Sequence, residues 1–253
     1  MNTTPSLTSE EILICERLRS LRMSGMADAY AQDLSDPNID LVPFDERLAR
    51  LVNSEWELRN NKKFNRLLKK AHLRYPEADL DESLYDPARK LDTVTIERLS
   101  NCHWVDEGKN LLITGMTSSG KTYLANALCI VDLHQSKTVR YIRANTLMLE
   151  LEHERLKNTY LEAITALNKL DLLAIDDFGL MDLDVDKCRD LFEVIDGREG
   201  RRSTIIVSQF PVKAWFDIFK DRTYADACLA RMTDKHHSYR LEMNGISMRE
   251  TGK

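Results

Sequence analysis

From about residue 93 to 253 the sequence predicts an α/β fold on a parallel five-stranded sheet, preceded by an all-helical N-terminal domain (1–75) and a linker (76–92). Three observations predict it. Short apolar runs alternate with helix-length segments from residue 93 onward, a glycine-bearing turn joins the first run to a helix, and the first 75 residues carry only helical periodicity.

Thr8-x-x-Glu11 forms a capping box ahead of Ile12, Leu13, Leu18 and Leu21, and Ser24-Gly25 is expected to break that helix before a second one over 26–34. Asp36-Pro37 and Pro43 punctuate the chain. A long helix then runs over 44–73, until Tyr75-Pro76 stops it. Strands are predicted at 110–114, 138–142, 171–175, 203–208 and 238–242. Helices fall at 93–100, 121–135, 145–168 with a break, 185–197 and 212–232 in pieces. In such a sheet a ligand sits at the carboxyl ends of the strands.

Gly115, Gly120, Lys121 and Thr122 spell G-x-x-x-x-G-K-T between the apolar run 111–113 and the helix that starts at 121. The two glycines let the backbone curl so that successive N–H groups of 115–123 (Gly115, Met116, Thr117, Ser118, Ser119, Gly120, Lys121, Thr122, Tyr123) point at phosphate oxygens. Lys121 then reaches the β and γ phosphates of ATP, and the Thr122 hydroxyl is offered to Mg²⁺. An ordinary glycine-bearing turn is the competing explanation, and the strand before and helix after argue against it.

Leu172, Leu173, Ala174 and Ile175 form a buried-strand run ending in Asp176 and Asp177, where a Walker B strand belongs. Asp176 is expected to orient the metal shell and Asp177 to act as general base on the attacking water. Ser208 and Gln209 end the next strand before Pro211, where either could sense the γ phosphate, although a plain strand-to-turn transition would look the same.

A net charge of −5 excludes a global basic field, so any nucleic-acid surface has to be local. One such stretch exists. Arg59, Lys62, Lys63, Arg66, Lys69, Lys70 and Arg74 lie at offsets of three and four with no acid between them. Like charges so spaced destabilise a helix by roughly 0.2–0.5 kcal/mol per pair, which duplex DNA phosphates would offset; a solvated helix face is the alternative. Arg198, Arg201 and Arg202 form a smaller cluster that reads as a solvated loop. Cys15, Cys102, Cys129, Cys188 and Cys228 lack metal or redox spacing and read as buried reduced thiols. With no apolar run of membrane-span or signal length, a soluble cytoplasmic protein with no membrane partner is expected.

Arg222 and Arg231 sit among acids in a helical region and could be surface ion pairs or an arginine finger. Taken with the motifs above, R-R-S-T-I-I-V-S-Q-F-P-V, A-D-A-C-L-A-R-M, the closing R-L-E-M-N-G-I-S-M-R and the N-terminal L-R-M-S-G-M-A and L-K-K-A-x-L-R-Y-P-E-A make the chain resemble the IstB-like ATPases over nearly its whole length. That resemblance implies an AAA+ P-loop core and a transposition helper that assembles as a homo-oligomer on DNA and directs target DNA to the transposase of the same insertion sequence. It implies Ser208-Gln209 as sensor and Arg231 as the finger acting in trans; Arg222 stands where the family more often has proline and ranks second. Met116, Ser118 and Ser119 depart from the family's G-P-T-G-x-G-K-T, narrowing loop flexibility. The 22 residues after Arg231 are too few for the helical lid of most AAA+ proteins, as the lidless family pattern implies. Other readings stand beside it: a DnaC-like helicase loader, a small-molecule kinase, which lacks a visible arginine-rich lid, and a nucleotide-gated scaffold, since Asp177 is one methylene shorter than the usual Glu.

Overall fold

A computed structural model of the chain describes residues 8–81 and 93–243 and divides it into two compact units, Met1–Arg66 and Leu67–Lys253. Residues 82–92 of the expected linker and 244–249 of the closing motif lie outside the described residues.

The first unit holds α1 (Ser9–Ser20), α2 (Ser24–Leu34), a 3₁₀ turn (Ile39–Leu41) and most of α3 (Phe44–Ala71). The predicted capping box is formed: Glu11 N–H donates to Thr8 Oγ1 at 3.3 Å, and Thr8 N–H to Glu11 Oε2 at 2.7 Å. Ser24 and Gly25 open α2 instead of ending α1. The break is made by Arg22 in the left-handed region, φ 58°. Gly25 has a different task, because a Cβ there would stand 2.7 Å from the Ser54 carbonyl oxygen of α3. A side chain would therefore wedge the two helices apart.

The second unit carries α4 (Thr93–Ser100), the short α5 (His103–Asp106), β1 (Asn110–Gly115), α6 (Lys121–His134), β2 (Val139–Arg143), α7 (Ala144–Leu156) and α8 (Tyr160–Lys169). It continues with β3 (Leu172–Asp176), α9 (Val185–Arg198), β4 (Ser203–Ser208), a 3₁₀ segment (Val212–Ile218), α10 (Arg222–Thr233) and β5 (Ser238–Met243). The strands form one parallel sheet in the order β2-β3-β4-β1-β5. β3 and β4 are buried along their whole length, which explains their unbroken apolar runs: both sheet faces are covered.

Alternation along the strands sorts side chains between two helical layers. Leu112, Ile142, Leu173, Ile175 and Ile206 join an apolar core with Leu147, Leu151, Leu167, Leu191, Val194 and Trp215 from the helices after β2. The opposite parity, including Tyr141 and Asp176, faces α6. Arg198 is not a solvated loop residue. It is 1% exposed, and its guanidinium donates to the carbonyls of Leu167 (2.5 Å), Leu170 (3.1 Å) and Ser203 (2.5 Å), tying α8 to the start of β4. Arg202 pairs with Asp171.

Candidate nucleotide site

The loop between β1 and α6 is held in shape by backbone conformations that few side chains tolerate. Gly115 has φ 145°, and a Cβ there would lie 2.2 Å from the Met243 carbonyl oxygen on β5. Gly120, φ 87°, hands the chain to α6, whose first turn closes with Leu124 N–H on the Gly120 carbonyl at 3.0 Å. Ser118 also sits in the left-handed region, φ 65°, the conformation that glycine adopts freely and serine adopts at a penalty of roughly 1–2 kcal/mol. The departure from the glycine-rich form of the motif thus leaves the loop fold intact and loads strain into its middle.

Lys121 folds over this loop, its ammonium donating to the Met116 carbonyl (2.5 Å) and to Ser119 Oγ (3.4 Å). Burial pulls its pKa below the usual lysine range, opposed by Asp176 and Asp177, so both acids lie within electrostatic reach of the amine. Thr122 Oγ1 donates to Asp176 Oδ2 at 2.8 Å, a contact that joins residues 54 apart in the sequence. Asp176 is 1% exposed, and its Oδ1 accepts the Asp177 N–H at 2.7 Å. Asp177 itself is left-handed, φ 57°, which aspartate tolerates better than most residues. Burial, and then Asp176, push the Asp177 carboxyl above its usual pKa, against Arg74, Arg143 and Lys121, and a raised pKa makes a stronger base.

Of the two sensor candidates, only Gln209 meets the loop: the Thr117 hydroxyl donates to Gln209 Oε1 at 2.8 Å. Ser208 is committed elsewhere, donating to the Phe178 carbonyl at 2.7 Å and accepting Phe210 N–H at 3.1 Å, so its hydroxyl shapes the turn after β3. Tyr123 Oη accepts Asp79 N–H at 3.0 Å, and its ring lies 5.9 Å from that of Tyr75.

The arginines are placed unevenly. Arg231 is bound to its own subunit: Nε donates to Asp196 at 2.8 Å and pairs with Glu199 at 3.1 Å, while the guanidinium lies 4.9 Å from the Phe192 ring centre. Arg222 is exposed at the start of α10. In the basic stripe, Arg59 is tied to Glu55 (2.6 Å) and to the Arg22 carbonyl (3.0 Å), and Arg74 faces Tyr141 and Asp176. Lys62, Lys63, Arg66, Lys69 and Lys70 are exposed and form no ion pair among the described residues. Two residues near the acids were absent from the sequence reading, Tyr141 and Arg143. Both lie on β2, where Arg143 pairs in register with Asp176, a placement set by sheet order that no motif in the sequence announces.

The IstB-like ATP binding protein family model matches residues 16–253. The chain belongs to that family. An insertion sequence ATP-binding protein of Sinorhizobium fredii is 36% identical to this IstB-like chain over 232 residues, covering 92% of each. The ATP-binding protein of insertion sequence IS1162 from Pseudomonas fluorescens is 37% identical over 195 residues, 77% of this chain and 84% of its own. Among solved structures, the DnaC helicase loader superposes with a TM-score of 0.54 at 18% identity, over 68% of this chain and 99% of that one. At that identity the likeness speaks for the fold alone. The chain is thus an IstB-like ATP binding protein by family, and no described helix is long and apolar enough to cross a membrane.

Proposed function

We propose that this IstB-like protein hydrolyses ATP with Mg²⁺ and uses the nucleotide to assemble as a homo-oligomer on duplex DNA, presenting target DNA to the transposase of the same element in the cytoplasm. The observation that carries this is the meeting of Lys121 and Thr122 on α6 with Asp176 and Asp177 at the end of β3. One arm of the site supplies phosphate-binding cations and N–H groups, and the other supplies carboxylates.

Within that arrangement Lys121 would neutralise β and γ oxygens and the loop N–H groups would hold the phosphate chain in line. The Thr122 hydroxyl and the Asp176 carboxylate, 2.8 Å apart, suit a hard cation that keeps its waters and shares substrate phosphates, so they are the residues that would hold Mg²⁺. When bound, the ion would draw developing charge from the phosphate oxygens. Asp177 would take the proton of the attacking water, while Gln209 would read the γ position through Thr117. Support for DNA as the partner comes from the five exposed cations of α3, which can replace phosphate counterions without reading bases. The finger would be supplied by a neighbouring copy through Arg231, once freed from Asp196 and Glu199, with Arg222 as the exposed second candidate.

Steady-state ATP turnover, measured with and without Mg²⁺ and duplex DNA, tests the reading. Wild type should release phosphate only with Mg²⁺, and Asp177→Asn should bind ATP without turning it over. Undiminished turnover by that variant would remove Asp177 from the chemistry.

A further inference from the structure

Asp176 Oδ2 accepts two hydrogen bonds, from Thr122 at 2.8 Å and from the Tyr141 hydroxyl at 2.6 Å. Tyr141 lies on β2, next to β3, and its register partner is Ala174, two residues before Asp176 and on the same sheet face. The ring is buried, so the phenol is aimed by packing. The phenol O–H is the donor and the carboxylate the acceptor of this bond.

Arg74 closes the chain of contacts. Its backbone N–H and that of Tyr75 both donate to Asn126 Oδ1, at 2.9 and 3.2 Å; Asn126 is fully buried, and its Nδ2 donates to the Thr122 carbonyl at 2.7 Å. This fastens Arg74 one helical turn from the residue that shares Asp176 with Tyr141. Its guanidinium, 5.5 Å from the Tyr75 ring centre, lies within electrostatic reach of Tyr141 and Asp176. A cation at the head of such a chain polarises the phenol and strengthens its bond to the carboxylate.

We propose that Tyr141, braced by Arg74, is a positioning residue for the metal-holding pair, fixing Asp176 so that the oxygen it shares with Thr122 is already oriented when Mg²⁺ arrives. Arg74 then belongs to the nucleotide site and not to the DNA stripe. The proposal rests on the reading of Thr122 and Asp176 given above. It separates two contributions to nucleotide binding, since the loop and Lys121 act on phosphate with or without metal, whereas Tyr141 acts only through the carboxylate.

The test is the affinity for a fluorescent ATP analogue, measured in EDTA and across a Mg²⁺ titration. Tyr141→Phe keeps the buried ring and removes one donor. It should leave affinity in EDTA unchanged and raise the Mg²⁺ concentration at half-saturation about 10-fold, the lower end of what losing an outer partner of a metal ligand typically does. Arg74→Gln should shift that midpoint in wild type and leave it where it is in the Tyr141→Phe background, because it acts through the phenol. A wild-type midpoint for Tyr141→Phe would overturn the proposal, as would an Arg74→Gln shift of equal size in both backgrounds. Wild-type binding that ignores Mg²⁺ would instead overturn the underlying reading of the Thr122–Asp176 pair.

Discussion

Thr122 and Asp176, the first turn of α6 and the last residue of β3, are joined by a 2.8 Å hydrogen bond in which the hydroxyl donates to Oδ2. The bond holds the first turn of the helix after the loop against the end of the acidic strand, 54 residues away in the sequence. Asp176→Ala removes that acceptor together with the partner of Tyr141 and of Asp177 N–H. It should abolish Mg²⁺-dependent ATP turnover while Mg²⁺-free nucleotide binding persists, and equilibrium dialysis alongside phosphate release reads both.

Glu55 makes a prediction about the first unit. No side chain of its own caps α2, and Glu55 from α3 accepts Gly25 N–H at 2.8 Å and Met26 N–H at 3.3 Å. Burial raises its pKa, but the Arg59 hydrogen bond and those two N–H groups outweigh that and leave it lowered. A carboxylate with a depressed folded pKa stabilises fully above its unfolded value, near 4.3, and loses that contribution as pH falls through the folded value. Glu55→Ala should lower stability by about 1–3 kcal/mol at pH 7, with the gap to wild type closing in acid. Urea unfolding at pH 7 and pH 3 checks it, and a gap that stays constant contradicts the assignment.

For the exposed cations of α3, replacing Lys62, Lys63, Arg66, Lys69 and Lys70 by Ala should weaken duplex binding about equally for all sequences and flatten its salt dependence, each lost phosphate contact removing about one unit of slope. ATP binding should survive. An unchanged salt slope in fluorescence anisotropy would return the stripe to the role of a solvated face.

Arg231→Ala tests action in trans. If a neighbouring copy supplies it, turnover should fall on the order of 10³-fold with nucleotide binding intact, and mixing with Lys121→Ala should restore part of the activity where intact loops meet intact arginines. A mixture that stays inactive although both variants join the oligomer confines Arg231 to its bonds with Asp196 and Glu199, and Arg222 becomes the residue to change.

What was legible in the sequence followed from local pattern. The strand limits of β1 to β5 come within a residue of expectation, those of β1, β3 and β4 because each is an apolar run cut off by a turn, and the phosphate loop and paired acids are contiguous motifs. Contacts that arise only on folding were hidden. Ser208 looked free to sense phosphate until the Phe178 carbonyl accepted its hydrogen bond, Arg198 looked solvated until three carbonyls enclosed it, and Gly25 looked like a helix breaker when Ser54 required its missing side chain. Tyr141 carried no motif at all. Its part depends on β2 lying beside β3, a fact of sheet order that periodicity does not encode.

Sedimentation velocity with a labelled DNA duplex, with and without Mg·ATP, tests the central claim most directly. Wild type should form a multi-subunit complex on the duplex only with Mg·ATP, and Lys121→Ala, lacking the ammonium held over the loop by the Met116 carbonyl and Ser119, should fail to build it under the same conditions. An identical complex without nucleotide, or with Lys121→Ala, would contradict the account, because assembly on DNA would then owe nothing to the phosphate loop.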